Sequence, residues 1–149
     1  MLAAMLQEIH DLELTQMEKT LVLIKPDAVE RSLIGNIIAL YEKNGMKVKD
    51  LKMVHATKAS AEEHYMEHYG RPYYDNLISY ITRSPIVAMV LEGADAIARV
   101  REINGKTDPR QAAEGTVRAL YGISMSENTV HASDSPESAK REAEVWFGK

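Results

Sequence analysis

The strongest constraint on the fold of this chain is the order of its hydrophobic segments. Four short apolar stretches are typical of β-strands, and amphipathic or capped stretches typical of helices separate them. The strands are predicted at residues 21–24, 46–57, 85–91 and 129–132. The helices are predicted at residues 32–44, 60–70, 73–82 and 94–103 and from 135 onward. The resulting order is β-α-β-αα-β-α-loop-β-α.

This order predicts a fold class. Two β-α-β units, each with an antiparallel strand, form the split arrangement of a ferredoxin-like α/β (α+β) sandwich. We therefore expect a four-stranded antiparallel sheet with helices packed on it. A doubly wound parallel sheet is the alternative, but it needs a Gly-rich turn after the first strand, where this chain has Lys25-Pro-Asp-Ala28.

Local residue patterns predict details of these elements. The apolar phase of the second strand slips between Val48 and Leu51, which indicates a β-bulge or bend. Ser60 with Glu63 predicts a capping box for the second helix, and Ser135-Pro136 predicts the start of the last helix. Residues 104–126 have the pattern of a loop, and so long a loop in a compact domain indicates function.

Length and composition limit the function. The 149 residues suit one domain, and the lack of cysteine excludes disulfides, Cys-rich zinc sites and thiol catalysis. The net charge of −4 argues against a dedicated nucleic-acid-binding protein. No apolar run approaches the ~18 residues of a membrane span, and nothing is typical of a signal peptide, so we expect a cytoplasmic protein.

Residues 1–16 differ from the rest of the chain, because they carry three of its four net negative charges and no Lys or Arg. Apolar residues follow helical spacing along them: Leu2, Met5, Leu6, Ile9 and Leu12. We interpret residues 1–16 as an N-terminal extension with a helical pattern, from cloning or an upstream start, and residues 17–149 as the single domain.

Two charged residues fall on apolar helix faces. Glu142 shares the apolar stripe of the last helix with Ala139 and Trp146. A buried carboxylate needs a partner, so Glu142 either orients a histidine or extends from the helix edge to solvent. Arg101 falls among apolar residues in the same way, and it suits either a bound phosphate or a structural ion pair.

Two histidine patterns follow. His64, Tyr65 and His68 are predicted to share a helix face, and His64-Tyr-Met-Glu-His68 matches the short H-x-x-E-H pattern of one zinc peptidase class. That class needs a third ligand and a larger scaffold, so we favour a histidine face that lines a polar cleft. His131 ends the fourth strand; imidazole is a competent nucleophile, whereas a lone histidine is more often structural.

Together these segments resemble the nucleoside diphosphate kinase family over residues 17–149. Asn128-Thr-Val-His-Ala-Ser-Asp-Ser135 is similar to that family's Asn-x-x-His-(Gly/Ala)-Ser-Asp signature around a phosphorylated histidine. Five further matches occur in the family's order and spacing: Ile24-Lys-Pro-Asp27, Arg71-Pro-Tyr-Tyr74, Gly105-Lys-Thr-Asp-Pro109, Gly115-Thr-Val-Arg118 and Trp146-Phe147. Six short matches in one order are specific, whereas any one of them alone is weak.

The resemblance implies an enzyme that transfers the terminal phosphate of a nucleoside triphosphate, typically ATP, to a nucleoside diphosphate. The transfer would be ping-pong through phosphorylated His131 and would maintain nucleoside triphosphate pools. Glu142 would hydrogen-bond the ring nitrogen that is not phosphorylated and so fix the tautomer of the ring.

The resemblance also implies how a nucleotide binds. The residues expected at the phosphates are Arg101, Thr107 and Arg118, with Tyr65 and His68 nearby. The residues expected at the sugar hydroxyls and the base are Lys25, Asn128 and Tyr73, the last stacked on the base. Mg²⁺ is expected to bridge the phosphates, with few or no ligands from the protein and therefore no metal-binding residues to name.

Family members assemble from dimers, so the resemblance implies a homo-oligomer, a tetramer or a hexamer, with nucleoside di- and triphosphates as ligands. Two departures are Ala132, where glycine is commoner, and Ala119-Leu-Tyr121 in a loop of subunit contacts. Two rival functions stay open: a metal-dependent hydrolase that uses His64, Glu67 and His68, and a non-catalytic module that docks through residues 1–16.

Overall fold

The sheet of this protein has four strands, which a computed structural model of the chain places at Met17–Ile24 (β1), Lys47–Val54 (β2), Ile86–Ala94 (β3) and Val130–Ala132 (β4). The strands lie in the order β2-β3-β1-β4, and each neighbouring pair is antiparallel. The predicted antiparallel α+β arrangement is therefore confirmed, and the doubly wound parallel sheet is wrong. The structure describes residues 1–148 without the side chains of residues 11–16, so Leu12 and Lys149 lie outside the described part.

Eight α-helices accompany the sheet within the described residues. They are α1 (Leu2–Gln16), α2 (Pro26–Glu30), α3 (Ile34–Lys43), α4 (Lys58–His64), α5 (Tyr74–Thr82), α6 (Ala96–Asn104), α7 (Val117–Tyr121) and α8 (Pro136–Phe147). Two 3-10 turns occur at Met66–His68 and Pro109–Gln111. The segment 104–126, predicted as a loop, is thus partly helical, because a five-residue helix such as α7 is too short to show a 3.6-residue pattern.

Two apolar cores lie on the two faces of the sheet. Successive residues of β1 alternate between them: Val22 and Ile24 face one core, and Leu21 and Leu23 face the other. All four are almost fully buried. Burial of one such side chain stabilises the fold by about 1.5–3 kcal/mol, which explains why the last four residues of β1 are all apolar.

The predicted bulge in β2 is confirmed, because the pairing of β2 with β3 shifts between Val48 and Asp50. In a regular strand Val48 and Val54, six residues apart, would face the same side of the sheet. Here they pack against opposite cores, since the bulge adds one residue to the strand.

The predicted bounds of α4 are wrong at both ends. Its N-cap is Thr57, whose hydroxyl accepts from the Ser60 N–H at 3.1 Å, while the Thr57 N–H donates to Ser60 Oγ at 3.0 Å. The capping box therefore lies one turn earlier than the predicted Ser60–Glu63 pair. The helix ends at His64, because Tyr65 leaves helical geometry (φ −98°, ψ 22°), so His64 and His68 do not share a helix face.

The buried face of α6 differs from the apolar face on which the sequence places Arg101. The helix begins at Ala96 rather than Ala94, since Asp95 adopts a left-handed conformation (φ 49°) between β3 and α6. The buried residues of α6 are Ala96, Ile97, Val100 and Asn104, and Ala98 is exposed. Arg101 consequently projects beside the core and not into it.

The predicted N-terminal helix is present as α1, and the apolar side chains that the structure describes in it are exposed, among them Leu2 at 70 % and Met5 at 57 %. Among the described residues, no helix combines the length and the apolar character that a membrane crossing requires.

Candidate active site

A cleft of about 690 Å³ lies at the C-terminal end of β1, beside β4. All ten residues that the sequence singled out line it: Lys25, Tyr65, His68, Tyr73, Arg101, Thr107, Arg118, Asn128, His131 and Glu142. They come from the start, the middle and the end of the domain, and two of them lie in the segment 104–126. The structure thus brings these ten residues together in one cleft.

His131 is held by a carboxylate at the wall of the cleft. Its Nε2 lies 2.7 Å from Glu142 Oε1, and the Ser133 hydroxyl donates to the same oxygen at 2.7 Å. The Leu21 N–H donates to Ser133 Oγ at 3.3 Å. The Leu21 carbonyl is a second acceptor for the serine proton at 3.3 Å, so the shorter contact, to Glu142, takes that proton. Because Oε1 accepts from Ser133, the Nε2 of His131 is the donor in the contact with Glu142.

This arrangement sets the protonation state of His131. Burial lowers its pKa to about 3, and the positive charges of Lys25, Arg118 and Arg101 act in the same direction. The ring is therefore neutral at physiological pH. With the Nε2 proton directed to Glu142, Nδ1 carries the lone pair, so His131 has one nucleophilic nitrogen.

Glu142 reaches His131 because α8 begins at a defined residue. Ser135 caps the helix by accepting from the Ser138 N–H at 3.1 Å, and Pro136 follows it, as predicted. Ala139, Glu142 and Trp146 then form the buried stripe. Glu142 is 5 % exposed, so the interpretation as a glutamate that extends to solvent is wrong. Desolvation raises its pKa, and the Ser133 hydrogen bond opposes that shift.

Lys25 and Asn128 meet where β1 ends and β4 begins. The ammonium of Lys25 donates to Asn128 Oδ1 at 3.0 Å, and the Lys25 N–H donates to the Thr129 carbonyl at 2.8 Å. Desolvation lowers the pKa of Lys25 to about 8, and the nearby Arg118 contributes, although Asp27 acts in the opposite direction. Lys25 is thus a buried cation whose charge depends on pH near neutrality.

Arg118 is fixed by backbone carbonyls of the cleft. Its guanidinium donates to the carbonyls of Gly105 at 2.7 Å, Asn128 at 3.2 Å and Val130 at 2.7 Å. These contacts tie α7 to the end of α6 and the start of β4. The remaining N–H donors of the guanidinium are the ones that a bound anion would take.

Arg101 and Thr107 form the outer part of the same wall. Both are exposed, and Arg101 donates to the Ala132 carbonyl, next to His131, at 3.4 Å. The Asn128 amide donates to the Thr107 carbonyl at 3.4 Å. Arg101 therefore lies in the cleft, so the geometry supports its interpretation as an anion-binding residue over a structural ion pair.

Aromatic residues form the opposite wall. The Tyr73 hydroxyl lies 2.7 Å from His68 Nδ1, and Tyr73 is 45 % exposed, so one planar ring faces solvent at the cleft. Tyr65 is buried, and its hydroxyl has no hydrogen-bond partner among the described residues. The wall thus offers a stacking surface and an unpaired hydroxyl.

Some residues that support the site were not singled out from the sequence. Asp27, 1 % exposed, accepts from Tyr80, from Thr129 Oγ1 at 3.0 Å and from Arg31 at 3.0 Å. Thr129 has a positive φ of 79°, and the Val130 N–H bonds to the Asn128 carbonyl across it, which is a strained γ-turn. For Asp27, the available sequence signal was an acidic residue in a turn next to a buried strand. For Thr129, no sequence signal indicates the strained backbone.

The zinc interpretation needs His64 and His68 on one helix face, and that geometry does not form. His64 is buried and its Nδ1 accepts from the Trp146 indole N–H at 3.1 Å, whereas His68 lies in the 3-10 turn against Tyr73. The two histidines therefore line the cleft separately.

Comparison with known proteins agrees with this site. The family model described as "Nucleoside diphosphate kinase" matches residues 18–149. A nucleoside diphosphate kinase of Clostridium perfringens is 53 % identical over 134 residues, 90 % of this chain and 94 % of that protein. One of Pyrococcus furiosus is 49 % identical over 137 residues, 90 % of this chain and 85 % of that protein.

Solved structures show the same fold. Aquifex aeolicus nucleoside diphosphate kinase superposes with a TM-score of 0.85 at 43 % identity, covering 88 % of this chain and 95 % of its own. The Halobacterium salinarum enzyme, a halophilic nucleoside diphosphate kinase solved in complex with CDP, has a TM-score of 0.85 at 42 % identity, covering 89 % and 88 %. The chain therefore belongs to the nucleoside diphosphate kinase family, whose enzymes are transferases that move phosphate between nucleotides.

The position of Lys25 predicts a pH dependence. Because a lysine is charged below its pKa, Lys25 should lose its positive charge as the pH rises through about 8, and kcat/KM for phosphate transfer should fall there. In a Lys25→Arg variant the guanidinium stays charged over this range, so this decline should disappear even if the absolute rate is lower. An identical alkaline decline of kcat/KM in the variant and in the parent protein would contradict the attribution of this decline to Lys25.

Proposed function

We propose that this protein transfers the terminal phosphate of a nucleoside triphosphate, typically ATP, to a nucleoside diphosphate by a ping-pong mechanism through phosphorylated His131. The observation that carries the proposal is the 2.7 Å contact between His131 Nε2 and Glu142, which leaves Nδ1 as the nucleophile. Family membership supports the phosphate transfer, and the geometry of His131 and Glu142 supports the route.

Each half of the reaction is one displacement at phosphorus. Nδ1 of His131 attacks the terminal phosphorus, a P–N bond forms, and the bond to the bridging oxygen breaks, so the nucleoside diphosphate leaves with that oxygen. The Nε2 proton stays on the ring and donates to Glu142, whose carboxylate balances the positive charge that develops on the imidazole. A second nucleoside diphosphate reverses these steps, and the histidine is regenerated.

The cations of the cleft supply electrostatic stabilisation. Phosphoryl transfer spreads negative charge over the phosphate oxygens, and donors held in place before the reaction stabilise that charge. Arg118 is fixed by three carbonyls, and Arg101 and Thr107 lie at the outer wall. We assign these three residues to the phosphates, with Tyr65 and His68 nearby.

The remaining assignments concern the sugar and the base. Lys25 and Asn128, which bond to each other, offer an ammonium and an amide to the sugar hydroxyls. Tyr73 presents its ring at the mouth of the cleft, where a base would stack on it. Stacking on an aromatic ring tolerates every base, so the proposed enzyme accepts a broad range of nucleotides.

Mg²⁺ fits the donor set of this cleft as a companion of the nucleotide. Three carboxylates line the cleft, those of Glu67, Asp134 and Glu142. Glu142 is hydrogen-bonded to His131 and Ser133, and Asp134 to Ser138. The nucleotide phosphates would therefore hold most of the coordination sphere, and the bound ion would neutralise phosphate charge.

Four broader assignments complete the proposal and rest on the sequence and the family resemblance. The enzyme maintains nucleoside triphosphate pools, acts in the cytoplasm and works as a homo-oligomer, a tetramer or hexamer built from dimers. Residues 17–149 form the catalytic domain, and residues 1–16 are an extension outside it.

The central test is transfer of label to the protein. Incubation with ATP labelled in its terminal phosphate should give the parent protein an acid-labile label, whereas His131→Ala should acquire none, because the nucleophile is lost. His55→Ala, which alters an exposed histidine outside the cleft, should label normally. A His131→Ala protein that still acquires acid-labile label, or a parent protein that never does, would refute the mechanism.

The role of Glu142 is tested with an isosteric change. Glu142→Gln should slow phosphorylation of His131 by roughly 10- to 100-fold, the range typical for residues that orient a functional histidine, because the amide carries no negative charge. Circular dichroism should show that the variant is folded. An unchanged rate of labelling would mean that the carboxylate does not fix the ring.

Removal of residues 1–16 tests the domain assignment. The lining of the cleft begins at Lys25 in the described chain, and the family match begins at residue 18, so a protein of residues 17–149 should keep kcat/KM within about twofold. Loss of nucleotide exchange in a truncated protein that remains folded would indicate that α1 contributes to catalysis or assembly.

A further inference from the structure

His64 is a buried imidazole next to the proposed nucleophile, and none of the roles described above uses it. It is the last residue of α4 and is 3 % exposed. Its ring centroid lies 4.5 Å from that of His131, with an angle of 79° between the two planes. Such a perpendicular contact at van der Waals distance restricts the orientation of both rings.

The neighbours of His64 define its chemical state. The Trp146 indole N–H donates to His64 Nδ1 at 3.1 Å, and an indole nitrogen can only donate. Nδ1 therefore carries no proton, and the neutral ring has its proton on Nε2. Arg141 donates to the carbonyls of Glu63 and His64 and so fastens α8 to the end of α4.

Burial keeps His64 neutral, because it is the largest cause that lowers the pKa of His64 well below the ordinary value. The positive charges of Lys25 after β1 and Arg141 on α8 act in the same direction, as would a protonated His131 on β4. Glu142 on α8 raises the pKa of His64, but this effect is smaller than that of burial. The Tyr65 ring, perpendicular to His64 at 4.7 Å, closes the remaining side.

The hydrogen bond to Glu142 alone leaves the His131 ring a small freedom of motion. The ring is anchored at Cβ and at the Nε2 contact, which together set its mean plane, but a hydrogen bond is soft enough for the ring to rock about the Cβ–Cγ bond, and this rocking displaces Nδ1 from the phosphorus. A second, rigid contact removes this freedom. In-line attack depends steeply on such orientation, since a misplacement of about 1 Å can cost roughly 10²-fold in rate.

We propose that His64 is a positioning residue for the phosphorylation of His131: Trp146 fixes its neutral Nε2–H tautomer, and its ring holds the plane of the His131 ring. This inference rests on the proposed function. Neutrality is part of the role, because a charged ring at this distance would oppose the positive charge that develops on His131 during attack.

A metal site is the competing interpretation of the same residues. His64, His131 and Glu142 each offer one ligand atom, and these atoms lie within 4.8 Å of one another. A metal needs an unprotonated nitrogen. Nδ1 of His64 is occupied by the Trp146 proton and Nε2 carries the proton of the ring, so coordination would require the buried Trp146 hydrogen bond to break.

Two substitutions separate the ring of His64 from its hydrogen bond. His64→Asn keeps an acceptor for Trp146 but removes the ring, and His64→Phe keeps a planar ring but removes the acceptor. Tyr41→Phe serves as the matched control, because it deletes a buried hydrogen bond, to Asn104 at 2.6 Å, in the other core. The measurements are the rate of His131 labelling at saturating ATP, the ATP concentration for half-maximal rate, and the urea midpoint of unfolding.

We expect His64→Asn to label about tenfold more slowly with the half-saturating ATP concentration unchanged within about twofold. His64→Phe should label within about threefold of the parent protein although it leaves the indole N–H unpaired and is the less stable variant. Tyr41→Phe should lose stability and keep its rate. Rates that follow stability across the three variants, or a His64→Asn rate equal to that of the parent protein, would overturn the proposal.

A measurement on the unmodified protein tests the tautomer independently of any substitution. In ¹⁵N-histidine NMR spectra, His64 should show an unprotonated Nδ1 and a protonated Nε2 between about pH 5 and 8, a range in which an unperturbed histidine titrates. A His64 that titrates in this range, or that shows the Nδ1–H tautomer, would overturn the inference. A parent protein that labels normally while these results fail would refute this inference alone and leave the proposed function standing.

Discussion

The buried carboxylate of Glu142 is the constraint on which the site depends. A carboxylate that is 5 % exposed is stable only with hydrogen-bond donors, and His131 on the edge strand β4 and Ser133 just after it supply them. This requirement fixes α8 relative to β4 and at the same time directs Nδ1 of His131 away from the helix. The interaction that satisfies a buried charge is thus the one that prepares a nucleophile.

Backbone carbonyls hold other polar groups of the cleft in place. The carbonyls of Asn128 and Val130 accept from the Arg118 guanidinium, and the Thr129 carbonyl between them accepts from the Lys25 N–H. The γ-turn at Thr129 presents these carbonyls in that order, and the buried Asp27 accepts from the threonine hydroxyl. Lys25 and Arg118 are therefore held by the residues that lead into β4, the strand that carries His131.

Much of the fold was predictable because buried positions in strands and helices produce regular patterns of apolar residues in the sequence. The continuous apolar run of β1 and the phase slip of β2 both correspond to what the sheet shows. The errors concern the ends of helices, which depend on local hydrogen bonds and backbone angles. The α4 helix starts after the Thr57 cap and ends at His64, and α6 starts later than predicted because Asp95 is left-handed. Five-residue helices such as α7 are too short for any period to be visible.

The sequence by itself determined the fold class and, through family-like segments, ten of the residues that line the cleft, because strand order and short motifs are properties of the chain. Only the tertiary structure decided which residues of the site and its surroundings contact each other. Trp146 and His64 are 82 positions apart, and no spacing rule connects them. Protonation states, the tautomer of His64 and the free nitrogen of His131 depend on distances and burial, and these exist only after the chain has folded.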